Sequence, residues 1–276
     1  MFIPELYYCD RRKVEELLSM LLDNFATEYK ITQSKDKKHD VQISAEVFKV
    51  LAKYNMVDST TENKETNVKS TNSSLFKDLY TLLNEKGTVQ SLIGYDEGIL
   101  KQLKTGEFVE VEGVFKQSPA ELVLASSMDA VRKFQPLMEM APSLAMSDIE
   151  PEKIQAFTTF FTSDKTTMII DPEDEATNGY KFFTTLKVTD FIEDRYEIEG
   201  QMRILGKVRK IIRPLQSVDL IKLLPGRMRV KPEELIEKFM QNNSAGNVYF
   251  DVDEITEESF VLKGPAIEIT PIAVYI

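Results

Sequence analysis

Apolar residues recur at helical spacing near the start of the chain. After a short strand-like run, Leu6 to Cys9, the positions Val14, Leu17, Leu18, Leu21 and Leu22 repeat every three or four residues. That pattern predicts a helix from Asp10 to about Phe25, with Asp10 as its N-cap. A polar stretch, Thr32 to Asp40, separates it from a second helical pattern at Ser44 to Tyr54. Asp58 to Ser74 holds no aromatic residue and only Val68 as an aliphatic one, so it reads as a mobile loop. Two further helices are expected, Leu75 to Lys86 closed by Gly87 and Asp96 to Lys104 closed by Gly106.

The period changes to two at Phe108 to Phe115, where Val109, Val111 and Phe115 share one face and Glu110 and Glu112 the other. Ser118-Pro119-Ala120-Glu121 forms a helix start, with Ser as the cap and Glu placed to reach back. Helix interrupted by prolines is expected from there to about Phe161. Beyond it, strands are expected at Lys165 to Ile170, Tyr180 to Val188 and, longest of all, Tyr196 to Arg213. Short helices follow at Val218 to Leu224, capped by Ser217, and at Lys231 to Asn242. Val248 to Val252, Ser259 to Lys263 and Ala266 to Tyr275 read as closing strands.

The expected fold class is therefore α+β, with a helix-rich N-terminal half, residues 1–146, and a mainly antiparallel sheet with helices in residues 147–276. The boundary near Ser147 is soft, and the length of 276 residues also suits a single domain. Val109 to Gly113 and Tyr196 to Gly200 share a Val/Ile-Glu pattern before a Ser-capped helix. Alternation in exposed strands explains that match better than duplication.

Cys9 is the single cysteine, which excludes an internal disulfide and a cysteine-based zinc site and fits a reducing compartment. The start lacks the basic-then-apolar order of a signal peptide, and no apolar run approaches membrane-spanning length. A cytoplasmic, non-membrane protein is expected. The formal charge of -11 repels nucleic acid and anionic lipid at long range, unless positive charge is concentrated somewhere.

It is concentrated in the long strand. Even positions Tyr196, Ile198, Met202, Ile204, Val208 and Ile212 form an apolar face, while odd positions turn from Glu197 and Glu199 to Arg203, Lys207, Arg209 and Arg213. Arg203 to Lys231 holds nine basic residues against one acid, Asp219. Arg203, Lys207, Arg209, Arg213, Arg227 and Arg229 are thus the candidate residues for an anionic small ligand or an acidic partner chain. The plainer explanation is that these side chains pair with the protein's own acids or blunt a strand edge. No aromatic residue lies in the segment, which disfavours nucleic acid.

Other chemistry is weakly signalled. Asp171, Glu173, Asp174 and Glu175 lack the ordered spacing of a calcium loop, and His39, the only histidine, makes no zinc site by itself. Cys9 has no neighbouring His to activate it, and the Met-rich run Leu137 to Met146 reads as core filling. No glycine pattern cradles a phosphate, so neither cofactor nor metal is expected. The preferred function is a non-enzymatic binding or regulatory protein. The alternative is a hydrolase acting on a phosphorylated substrate, with Asp10, Asp190 and Asp194 gathered into a carboxylate metal site. Self-association through the basic strand is a third expectation.

Three stretches together, LYYCDRRKVEELLSML, YEIEGQMRILGKVRKIIRPLQSVDLIKLLPG and GPAIEITPIAVYI, resemble an uncharacterised family of bacterial proteins. Its members begin with a Tyr-Leu-Asp strand and helix, carry a Gly-Lys-Val strand and end in Pro-Ile-Ala-Ile-Tyr. The matching residues are Tyr8-Cys9-Asp10, Gly206-Lys207-Val208 and Pro271 to Tyr275, with Cys9 and Val274 departing from the pattern. The resemblance implies a bacterial cytosolic protein and carries over no activity.

Overall fold

The computed structural model describes residues 4–34, 45–54, 71–92, 97–119, 121, 164–172, 180–193, 198–223 and 260–276. The first half supplies β1 (Leu6–Cys9), α1 (Arg11–Ser34), α2 (Ala45–Lys53), α3 (Asn72–Glu85), β2 (Val89–Ser91), α4 (Glu97–Gln102) and β3 (Phe108–Gln117). The second supplies β4 (Lys165–Asp171), β5 (Lys181–Lys187), β6 (Gly200–Ile212), β7 (Ser217–Asp219), β8 (Val261–Lys263) and β9 (Ala266–Tyr275).

Local chemistry explains several boundaries. The Asp10 carboxylate accepts from the Lys13 N–H at 3.2 Å and caps α1, which runs on to Ser34, nine residues beyond its expected end. Thr71 caps α3 by accepting from the Ser74 N–H. Gly87 and Gly106 both take positive φ, the left-handed conformation that ends a helix or turn.

β3 pairs with β4, β4 with β5, β5 with β9, β9 with β6, and β6 again with β3, so five strands close into a barrel. Around the ring they stand first, second, third, fifth and fourth in chain order, a Greek-key closure of the kind found in OB-folds. The one parallel contact in the ring is β5 on β9. Val109, Val111, Phe115, Met168, Phe182, Leu186, Ile204 and Ile269 fill the interior. Closure requires tight curvature: a Cβ on Gly206 would run into the side chain of Ile269 and the carbonyl oxygen of Thr270.

Strands β9 and β3 each pair with three neighbours. β9 uses residues 266–269 against β5 and 273–275 against β1, while β3 uses 108–110 against β2 and 114–117 against β4. β1 and β2 thus extend the sheet beyond the barrel. Val14, Leu18 and Leu22 of α1 and Phe76, Leu79 and Leu83 of α3 bury against this extension, on Leu205, Ile272, Ala273 and Tyr275.

The expected fold class is overturned. The described structure is strand-rich, with a closed barrel in place of an open antiparallel sheet, and the first half is not helix-rich. The reason lies in β3, which pairs with β6 from Phe108 to Phe115 and so draws first-half chain into the barrel. Two smaller corrections follow. Ser217 begins β7, paired with β8, and only Leu220–Leu223 make a helical turn. Glu121 does not reach back to its own cap: its carboxylate accepts from the Thr167 N–H at 3.1 Å, while Ser118 Oγ accepts from the Glu121 N–H. Outside the described residues lie the loop residues 58–70, His39, Leu137 to Met146, the rest of the helix expected to Phe161, Glu173 to Glu175, the helix at Lys231 to Asn242 and the strand at Val248 to Val252.

Candidate functional site

β6 is not an edge. It lies between β3 and β9 from Arg203 to Lys207, where its basic residues face cross-strand neighbours on both sides, and beyond Lys207 it pairs with β9. Arg203 stands opposite Glu112 and pairs with its carboxylate, Nη2 to Oε2 at 2.9 Å. Lys207 stands opposite Phe108, its ammonium 4.5 Å from the ring centroid. Arg209 pairs with Glu268 on β9 at 2.8 Å. Between Arg203 and Lys207, Leu205 is fully buried beneath the helices.

The register slips between Val208 and Lys210. This bulge turns Lys210, which an unbroken alternation would aim at the interior, out to solvent. Ile211 then packs against the barrel interior, while Ile212 lies on the other face, against Phe183, Leu220 and Phe260 in a separate cluster. Past the bulge, Arg213 is exposed, and its backbone N–H is held by the Gln216 side chain in the turn that follows. Lys210 and Arg213 have no carboxylate partner among the described residues.

Here, where β6 ends and β5 and β9 begin, lies an open groove of about 430 Å³. Its charged lining among the described residues is Lys101, Arg209, Lys210 and Arg213, with no acid among them. Leu100, Leu103, Tyr180, Ile211, Pro214 and Pro265 supply most of its apolar wall. The candidate residues therefore part company. Arg209 and Arg213 meet in the groove, Arg203 and Lys207 sit farther along β6 in cross-strand contacts, and Arg227 and Arg229 lie outside the described residues. Lys101, Lys210 and Tyr180 were missed as site residues. Lys210 carried a signal, since it breaks the apolar run of even positions. Lys101 and Tyr180 carried none, because only barrel closure brings α4 and the start of β5 beside β6.

The opposite end of β5 holds a second charged cluster. Lys187 Nζ lies 3.0 Å from Asp10 Oδ2 and 3.4 Å from Asp190 Oδ2, and Lys13 Nζ reaches Asp10 at 2.9 Å. Burial alone would raise the Asp10 pKa, but hydrogen bonds from Lys13 and Lys187 outweigh it and hold the carboxyl below its usual range. Those contacts with Asp10 in turn raise the pKa of Lys187. Neighbouring Cys9 is buried, and desolvation together with Asp10 pushes its thiol up to about 12, which leaves it an inert thiol at neutral pH. Asp10 and Asp190 are thus brought together, but around an ammonium; Asp194 lies outside the described residues. Among the described residues no three His, Cys, Asp or Glu side chains are grouped to hold a metal ion. Nor is any described helix long and apolar enough to cross a membrane.

A family model described as a domain of unknown function, DUF6414, matches residues 3–275. No curated protein and no solved structure matches the chain. The chain belongs to the DUF6414 family.

Proposed function

For this member of an uncharacterised family, we propose a non-enzymatic binding or regulatory role in which the groove at the end of β6 receives an anionic ligand or an acidic segment of a partner. The observation that carries it is the convergence of Lys101, Arg209, Lys210 and Arg213 on one concavity with no acid among its described lining residues, in a chain whose formal charge is -11. Against a repulsive overall field, an anion approaching this end of the barrel meets local attraction. Arg203 and Lys207 stand farther along the strand and act by setting the potential rather than by contact.

The hydrolase reading needs convergent acids beside the basic strand. Asp10 and Asp190 converge at the far end of β5 from the groove and are already neutralised by Lys187 and Lys13. That separation favours binding over hydrolysis. The lone buried Cys9 and the family's sequence pattern support a bacterial cytosolic setting.

The test is calorimetric titration of the full chain with inorganic pyrophosphate at two salt concentrations. Binding is expected to weaken at the higher salt and to fall at least about tenfold in the double variant Lys210→Glu/Arg213→Glu. Equal binding by wild type and double variant would sink the proposal.

A further inference from the structure

Resting on the anion reading of the same groove, the geometry points to a phosphorylated small molecule of mononucleotide size carrying a planar ring, with a diphosphate favoured over a single carboxylate. Three features of the groove lead there.

Its volume of about 430 Å³ lies within the range of small-molecule sites and is too confined for a folded partner surface. An extended acidic peptide would bind best by adding a strand, but β9 covers one side of β6 here and β3 covers the other as far as Lys207, which leaves only the short stretch Arg209 to Ile212 for an added strand.

The charge exceeds what one carboxylate needs. Arg209 is engaged by Glu268, whereas Lys210 and Arg213 have no carboxylate partner among the described residues, and Lys101 faces them from α4. The guanidinium fork of Arg213 and the ammonium of Lys210, with the positive charges of Arg209 and Lys101 beside them, match the several oxygens of a phosphate chain, which accepts both bidentate and point contacts.

The apolar wall is more than an anion site requires. The ring of Tyr180 and the apolar pyrrolidines of Pro214 and Pro265 stand in the same groove as the cations. That juxtaposition gives a base or other planar ring a surface to lie on while its phosphates reach the end of β6. Inorganic phosphate alone would leave this wall wet.

The experiment titrates the full chain with ADP, with inorganic pyrophosphate and with a short poly-glutamate peptide. ADP is expected to bind about tenfold or more tightly than pyrophosphate, and the peptide more weakly than either. Tyr180→Ala should cost ADP most of that advantage and leave pyrophosphate unchanged, Tyr180→Phe should retain it, and Arg213→Glu should weaken both. If ADP and pyrophosphate bind equally, or Tyr180→Ala leaves ADP untouched, the ring contact is overturned while the anion reading stands. Binding of the peptide alone overturns the small-molecule ligand in favour of an acidic partner. Binding of none of the three overturns both.

Discussion

The Lys187 ammonium lies 3.0 Å from the Asp10 carboxylate, and this contact fastens the end of β5 to the first turn of α1. Lys13 completes the clasp, since its ammonium also contacts Asp10 and donates to the Pro271 carbonyl oxygen on β9. One buried carboxylate therefore joins the helix, the barrel and the strand that extends the sheet.

Asp10 gives the first prediction. Its folded-state pKa is lowered, so its stabilisation is fully present above the unfolded value of about 3.9 and is lost as pH falls through the folded value. Asp10→Asn keeps a competent N-cap but removes the charge that Lys13 and Lys187 face, at an expected cost of about 1–3 kcal/mol. Urea denaturation at pH 7 should show that difference, and it should shrink below pH 4. A gap of unchanged size at pH 2.5 would contradict the assignment.

Glu110 gives the second. It is buried on the outer face of β3, where its carboxylate accepts from the hydroxyls of Tyr80 on α3 and Tyr275 near the end of β9. Burial and the Glu110 contact push the Tyr275 phenol far up. Tyr275→Phe leaves a buried carboxylate short of a donor and should cost about 1–3 kcal/mol. Combined with Tyr80→Phe, the loss should depart from additivity, because both hydroxyls serve one oxygen. Strict additivity in the double-mutant cycle would argue against a shared clamp.

Gly206 tests the closure of the barrel. Gly206→Ala must push Ile269 and Thr270 away from β6, so a destabilisation of about 1–3 kcal/mol is expected in chemical denaturation. A neutral result would mean that β6 and β9 do not approach so closely.

The basic strand divides into residues that hold the fold and residues that face the groove. Arg203→Glu would set a carboxylate against Glu112, and it should lower the thermal midpoint while weakening pyrophosphate binding less than Arg213→Glu does. Arg213→Glu should weaken pyrophosphate binding most while leaving stability within about 0.5 kcal/mol of wild type. Glu268→Gln removes the acid that competes for Arg209, and pyrophosphate should bind about threefold or more tightly. Weaker binding in Glu268→Gln would show that Glu268 serves instead to aim Arg209.

Much of the local structure was legible in the sequence. Asp10 as a cap, the helical spacing from Val14 to Leu22 and the alternation around Val109 depend on neighbours within a few residues, which the sequence displays. The break at Lys210 was legible too, as a polar residue at an apolar position. The partners of the basic strand were not. Glu112 and Glu268 lie 91 and 59 residues from Arg203 and Arg209, and only the pairing of β6 with β3 and β9 brings them together.

By itself, then, the sequence determined where charge accumulates and which residues alternate along β6. Tertiary structure alone decided what that charge does. Closing β3, β4, β5, β9 and β6 into one ring gave Arg203 and Lys207 partners within the sheet. The same closure brought Lys101 and Tyr180 to Arg209 and Arg213 at its rim. The physical reason is that a side chain's periodicity is local, whereas its neighbours across a barrel are fixed by pairings between strands far apart in the chain.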